Sequence, residues 1–182
     1  MKEDLLEAAA RVLARHGAEH FTTNHVAEAA GASVGSLYQY FPNKAALLVA
    51  LHEREAETTW AQLAPLLDEP GTSARARFER LMHAFFRVQA EASEHHAALN
   101  GAQAGIANTP TFLAFERTVV ARLTDFLRGA LGAKADCAFL AQLTFTVATS
   151  VGERLSLRAT PRAEAARLGK ATASMLADSL GL

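Results

Sequence analysis

Between Phe21 and Lys44 the chain reads FTTNHVAEAAGASVGSLYQYFPNK, and the punctuation of this stretch leaves few ways to fold it. Thr22 or Thr23 can cap a helix running through Val26, Ala27 and Ala30, which Gly31 closes. Gly31, Ala32 and Ser33 form a tight turn, because glycine tolerates left-handed backbone and Ser33 can cap whatever follows. A second helix then runs from Val34 to about Tyr40 and stops at Pro42, whose ring cannot continue it. Isolated helices below roughly 12 residues are marginal in water, so two helices of two turns each need a third to pack on.

The preceding residues supply one. Leu5, Leu6, Ala9, Val12 and Leu13 recur at helical spacing over residues 2–16, with Glu3, Glu7, Arg11 and Arg15 outside the stripe and Gly17 at the end. Leu5, Ala9 and Leu13 face an inward set made of Val26, Ala27, Ala30, Leu37 and Phe41, and the small Ala27 permits close crossing of the two short helices. The arrangement is a helix-turn-helix.

The rest of the chain is helical by the same criteria. Half of all residues are apolar, and because Ala and Leu dominate that half while β-branched residues are scarce, propensity favours helix over sheet. Asn43 caps a long helix carrying Leu47, Leu48, Leu51, Trp60, Leu63 and Leu67, broken at Asp68 to Ser73. Helical periodicity resumes from Ala74 to about Ser93, is interrupted between His95 and Pro110, and returns over Thr111 to Leu131. Asp136 caps a further helix to about Leu157, and Pro161 opens the last, to about Leu180. The expectation is an all-α chain of about nine helices, divided into residues 1–46 and residues 47–182.

Bulk charge gives no support to a nucleic-acid partner. The net charge is -1, and residues 1–54 hold five basic against six acidic side chains. The one cysteine, Cys137, excludes an intramolecular disulfide and, among Ala138, Phe139 and Leu140, reads as an inert core thiol. No apolar run approaches the ~20 residues of a membrane span, and acids follow the lone Lys2 where a signal peptide would be basic. A soluble, cytoplasmic protein without a membrane partner is expected.

The run TTNHVAEAAGASVGSLYQYFPNKAALL resembles the DNA-binding signature of tetracycline-repressor (TetR) family regulators of bacteria. In that signature a threonine opens helix two, an alanine and a glycine flank the turn, and GxLYxxFxxKxxL follows, here as Gly35, Leu37, Tyr38, Phe41, Lys44 and Leu47. The resemblance covers residues 5–51; beyond them only helix number and length agree. Members usually carry a basic arm before helix one, whereas here only Met1 and Lys2 precede Glu3.

The resemblance implies a transcriptional regulator, most simply a repressor that binds a palindromic operator in double-stranded DNA as a homodimer and is released by a small, largely apolar effector. It implies that the Val34–Tyr40 helix enters the major groove, where each base pair presents a distinct donor and acceptor pattern. Gly35 would permit close approach, Ser36 and Gln39 would read base edges, and Val34 would pack on a thymine methyl. Tyr38, Tyr40 and Lys44, with the hydroxyls of Thr22, Thr23 and Ser33, suit phosphate oxygens, and Asn24 and His25 are weaker candidates. The competing reading is that the hydroxyls only cap helices and the tyrosines only pack.

Two further features belong to the C-terminal half. Phe78, Met82, Phe85, Phe86, Phe112 and Phe115, with Gln142, Thr146 and Thr149 as polar groups, suit a largely apolar ligand cavity, although each aromatic also reads as core. Ala141, Thr144, Ala148 and Gly152 on one helix, and Ala163, Ala166, Gly169 and Ala173 on the next, are small residues at spacings that allow close helix approach. By the resemblance these two helices form a four-helix dimer interface; alternatively the small residues close the chain's own core.

No cofactor or metal is expected: His95 and His96 are adjacent and so point apart on a helix, and His52 and Glu53 lack the second histidine of HExxH. Gly31 to Gly35 spells the G-x-S-x-G nucleophile elbow, but that motif needs a strand before its serine, and a helix precedes Ser33. The chain is therefore read as a non-enzyme. The other reading is a helical small-molecule-binding protein or enzyme whose helix-turn-helix is only structural.

Overall fold

The computed structural model describes residues 1–17, 19–91, 109–132, 135–157 and 160–182. Among them eight α-helices follow one another: α1 (Lys2–His16), α2 (Thr23–Ala29), α3 (Val34–Tyr40), α4 (Lys44–Leu63), α5 (Ala74–Glu91), α6 (Pro110–Leu131), α7 (Cys137–Leu157) and α8 (Arg162–Leu180). There is no strand among the described residues. The interrupted stretch expected between His95 and Pro110 lies, up to residue 108, outside the described residues. The chain forms two compact units, residues 1–57 with 94–112, and residues 58–93 with 113–182.

In the first unit α1 is the base. Its stripe Leu5, Leu6, Ala9, Val12 and Leu13 is buried together with Phe21, Val26, Ala27, Leu37 and Phe41. Leu47, Leu48 and Leu51 of α4 complete this core. At roughly 1.5–3 kcal/mol for each large side chain buried, this shared core supplies what two short helices lack by themselves. Arg11 of α1 adds a polar tie, donating to the Ala29 carbonyl at the end of α2 at 3.2 Å while pairing with Glu7 at 2.8 Å.

The long helix expected to run to Leu67 ends as α-helix at Leu63 and tightens into a 3-10 turn, Ala64–Asp68. Pro65 explains the change, since its nitrogen has no hydrogen to give an α-helical partner.

In the second unit α5 packs against α7, α8 and the 3-10 turn, and it does so through two glycines. A methyl on Gly169 of α8 would lie 2.8 Å from Phe86 Cβ, and one on Gly152 of α7 would lie 2.9 Å from Gln89 Cγ and 3.1 Å from Phe85 Cε1. Glycine is what lets α5 approach both helices. Buried polar groups there are satisfied locally: Ser156 donates to the Gly152 carbonyl at 2.8 Å, and Thr144 to the Leu140 carbonyl at 2.8 Å. Asp136 caps α7, accepting from the Phe139 N–H at 3.2 Å.

Candidate nucleic-acid interface

Helices α2 and α3 are joined by a turn in which Gly31 takes the left-handed backbone, φ 65°. The Gly31 and Ala32 N–H groups donate to the Glu28 and Ala27 carbonyls at 3.0 and 2.9 Å, so the end of α2 is closed without help from outside. Thr22, not Thr23, caps α2, accepting from the His25 N–H at 3.2 Å; Ser33 caps α3, accepting from the Ser36 N–H at 3.0 Å. Asn43 caps α4 through a 2.8 Å bond from the Ala46 N–H.

Of the seven residues of α3 only Leu37 is buried. Val34 and Ser36 are partly covered, and Gly35, Tyr38, Gln39 and Tyr40 are exposed, Tyr38 by 46% and Tyr40 by 45%. Large aromatic rings left this open on a helix with one buried residue add little to the core. Gly35 points the same way. Among the described residues a methyl there would meet only Ser33 Oγ at 3.7 Å, so none of them requires glycine at a helical position where it costs up to about 1 kcal/mol against alanine.

The alternatives of capping and phosphate contact turn out to be compatible. A hydroxyl has two acceptor lone pairs and one hydrogen. Thr22 uses a lone pair to cap α2, and its hydrogen is not needed for that bond. Ser33 and Ser36 share a 2.8 Å hydroxyl contact, and Thr23 and Tyr38 share one of 3.2 Å that ties the start of α2 to α3. In each pair one hydroxyl donates to the other, and the recipient keeps a hydrogen for an outside acceptor. Sequence periodicity had no means of showing the Thr23–Tyr38 bond, because it links residues 15 positions apart.

Lys44 stands at the first turn of α4 with its ammonium 5.5 Å from the Phe21 ring centroid and its side chain exposed. Asn24 is exposed. His25 is engaged within the unit, its ring stacked on His16 with centroids 5.4 Å apart and its Nδ1 3.1 Å from the His20 carbonyl. The G-x-S-x-G serine is the cap of α3, preceded by a helix and a turn, which is not an elbow geometry.

Ala141, Thr144, Ala148, Gly152, Gly169 and Ala173 are buried inside the second unit, and Ala163 and Ala166 are exposed. The small-residue spacing therefore serves contacts within the chain, Gly152 and Gly169 being those against α5. What α7 and α8 expose instead are Phe139, Leu143, Leu168 and Met175, the first and last by 61% and 58%.

The expected lining set also divides. Phe112 packs against the core of the first unit. Gln142 is exposed and donates to Glu116 at 2.7 Å, Thr146 is exposed, and Thr149 donates to its own helix at the Phe145 carbonyl. Phe78, Met82 and Phe86 are buried, with Phe86 committed to Gly169. Phe85 and Phe115 are partly buried. Among the described residues no three His, Cys, Asp or Glu side chains converge as a metal site, and no helix is long and apolar enough to cross a membrane.

Comparison with known proteins agrees with the geometry. Residues 5–51 match the family model of bacterial regulatory proteins, tetR family. No curated protein matches the chain. Among solved structures it is similar to a TetR transcription regulator from Haloarcula marismortui, with a TM-score of 0.70 at 20% identity over 98% of this chain and 96% of that one. It is also similar to the fatty acid degradation regulator FadR from Bacillus halodurans, with a TM-score of 0.67 at 19% identity over 96% and 93% of the two chains. FadR from Bacillus subtilis, crystallised with stearoyl-CoA, gives 0.65 at 16% identity over 97% of each. At such identities the likeness is one of fold.

Proposed function

From the premise that this chain is, through residues 5–51, a DNA-binding transcriptional regulator of the tetR family, we propose that it is a cytoplasmic repressor that binds a palindromic operator as a homodimer and leaves it when a small, largely apolar ligand binds. The observation that carries this reading is α3 itself, a helix whose one buried residue is Leu37, with Val34 packed against the core beside it, and which leaves Gly35 and Gln39 exposed among hydroxyls with hydrogens to give.

In this reading the first turns of α3 enter the major groove. Ser36 and Gln39 read base edges, Val34 meets a thymine methyl, and Gly35 lets the backbone come close. Tyr40, Lys44 and the hydroxyls of Thr22, Thr23, Ser33 and Tyr38 hold phosphates, with Asn24 beside them. These contacts fix the orientation of α3 without reading sequence. One helix of seven residues buries too little surface for specificity, so two copies reading a two-fold site are required. The face for that pairing is the exposed apolar set on α7 and α8, Phe139, Leu143, Leu168 and Met175, in place of the small-residue stripes.

The ligand site lies in the second unit, with Phe85 and Phe115 as its lining and Phe78 and Met82 behind them. Long-chain acyl thioesters are the first class to test, because the Bacillus subtilis FadR of similar fold was crystallised with stearoyl-CoA. Release follows if the ligand binds better to a state in which the two α3 helices have the wrong spacing, since a ligand shifts an equilibrium only by its differential affinity.

The test is a gel-shift titration on DNA flanking the gene across a salt series. Tyr40→Ala and Lys44→Ala should each weaken binding several-fold, and Lys44→Ala should lower the salt slope by about one. Wild-type affinity and slope in both variants would remove these residues from the phosphate contacts.

A further inference from the structure

The first unit has to meet phosphates, yet it holds little positive charge. Up to residue 54 it has five basic side chains against six acidic ones, and two of the five are paired within the chain, Arg11 with Glu7 at 2.8 Å and Arg54 with Glu3 at 2.9 Å. Three histidines gather at one end of α1 and α2. His16 ends α1, His20 lies in the connection, and His25 stands in the first turn of α2 just after its cap Thr22; all three are exposed.

The rings of His16 and His25 are stacked, with 5.4 Å between centroids and 28° between planes. His25 Nδ1 lies 3.1 Å from the His20 carbonyl. A carbonyl oxygen only accepts, so Nδ1 carries the hydrogen and donates it, which leaves Nε2 as the acceptor nitrogen of a neutral ring. A proton added at Nε2 makes it a second donor and the ring a cation. The carbonyl end of α1, where His16 stands, carries partial negative charge and favours a cation nearby. Two positive rings 5.4 Å apart repel, so the pair takes one proton and not two. The other charged or titratable side chains at this end of α1 and α2 and on the elements packed there are Arg15, Glu19, Glu28, Tyr38 and Lys44. Of all these residue types only histidine ordinarily changes charge between about pH 5 and 8.

We propose that the His16–His25 pair is a proton-gated phosphate site. A solvent proton is taken up at His25 Nε2 as the unit meets DNA, and the new N–H donates to a phosphate oxygen beside those held by Thr22 and Thr23. The proposal rests on the DNA-binding reading given above and adds a dependence on pH to it. Bound protein then holds one proton more than free protein. Affinity is therefore greatest where the pair is already protonated and falls as pH rises through the histidine range, by at most about tenfold per pH unit.

The full chain is titrated by gel shift with DNA flanking the gene and with an unrelated duplex of the same length, at about pH 6, 7 and 8 and matched ionic strength, where circular dichroism is unchanged. Wild type should bind roughly tenfold more weakly at the highest pH than at the lowest, and its salt slope should be steeper by about one at the lowest, where one more cation meets phosphate. His25→Gln keeps a polar head but takes no proton. It should be about tenfold weaker than wild type at the lowest pH, close to it at the highest, and flat between. His25→Lys is charged throughout and should bind at the highest pH as wild type does at the lowest. His20→Gln keeps the carbonyl and should keep the wild-type profile.

A flat wild-type profile, or a slope that survives in His25→Gln, overturns the proton-gated site and leaves the operator reading standing. A slope lost in His20→Gln assigns the proton to that ring and overturns the site equally. If the unrelated duplex shows the pH dependence and the flanking DNA binds no better, the phosphate site stands and the operator reading falls. If neither duplex binds at any pH, both fall.

Discussion

Helical glycines divide the two units of this molecule by what they serve. In the second unit Gly152 and Gly169 are demanded from inside, because a methyl on either would lie within 3.0 Å of a side chain of α5. In the first unit Gly35 is demanded by none of the described residues, the nearest of them to an added methyl being Ser33 Oγ at 3.7 Å. The same residue type thus marks a packed contact in one unit and an open one in the other. A residue that folding does not need, on a face that folding leaves bare, indicates an outside partner. Phe139 and Met175 have that status in the second unit, as apolar side chains more than half exposed on α7 and α8.

The largest effect should come from those two side chains. If they bury against a second copy, each contributes on the order of 2 kcal/mol, and a carboxylate in their place adds the cost of burying a charge. Phe139→Glu with Met175→Glu should therefore turn a dimer into a monomer at micromolar concentration in sedimentation, with the helical circular dichroism of the monomer retained. An unchanged sedimentation coefficient would mean that this face is not where copies meet, and the proposed pairing of α7 and α8 would fall.

A middle-sized effect is expected at Gly169. Alanine there gains up to about 1 kcal/mol of helix propensity but must displace Phe86 at its Cβ, an atom fixed to the backbone of α5, and overpacking of that kind costs roughly 1–3 kcal/mol. Gly169→Ala should be destabilised by about 1–2 kcal/mol in urea unfolding. Gly152→Ala should lose less, because the clashing Gln89 Cγ and Phe85 ring edge lie further out along side chains that can turn. If the order of the two variants were reversed, the α5–α8 contact would not be the tighter of the two.

Legibility from sequence follows the range of the interactions involved. The first unit was readable because its signals are local: Thr22, Ser33 and Asn43 cap within three residues, Gly31 turns the chain at φ 65°, and Pro42 stops α3. The second unit hid its meaning because small residues at helical spacing announce close approach without naming the partner. Gly152 and Gly169 read equally as a surface between subunits and as a closing of the chain's own core, and both lie against α5. Phe112 shares its periodicity with Phe115 and Val119, and spacing gave no sign that its packing belongs to the first unit. Even within the readable unit, the Thr23–Tyr38 and Arg11–Ala29 bonds join different helices and left no trace in spacing.

The smallest change in stability, and the one whose sign is most telling, belongs to Gly35. At an open position in the first turn of α3, Gly35→Ala removes the backbone freedom that glycine gives the unfolded chain and creates no clash. Folding should therefore gain up to about 1 kcal/mol. A residue kept for folding alone would have no reason to remain glycine under those terms. If the backbone at this point must lie against DNA, the added methyl stands where a base edge or sugar has to come, and affinity should fall by about tenfold or more even as the melting temperature rises. The two measurements move in opposite directions only if the glycine serves the partner. A variant more stable than wild type that binds the flanking DNA equally well would show that α3 does not approach the groove at Gly35, and the division drawn between the two kinds of glycine would be lost.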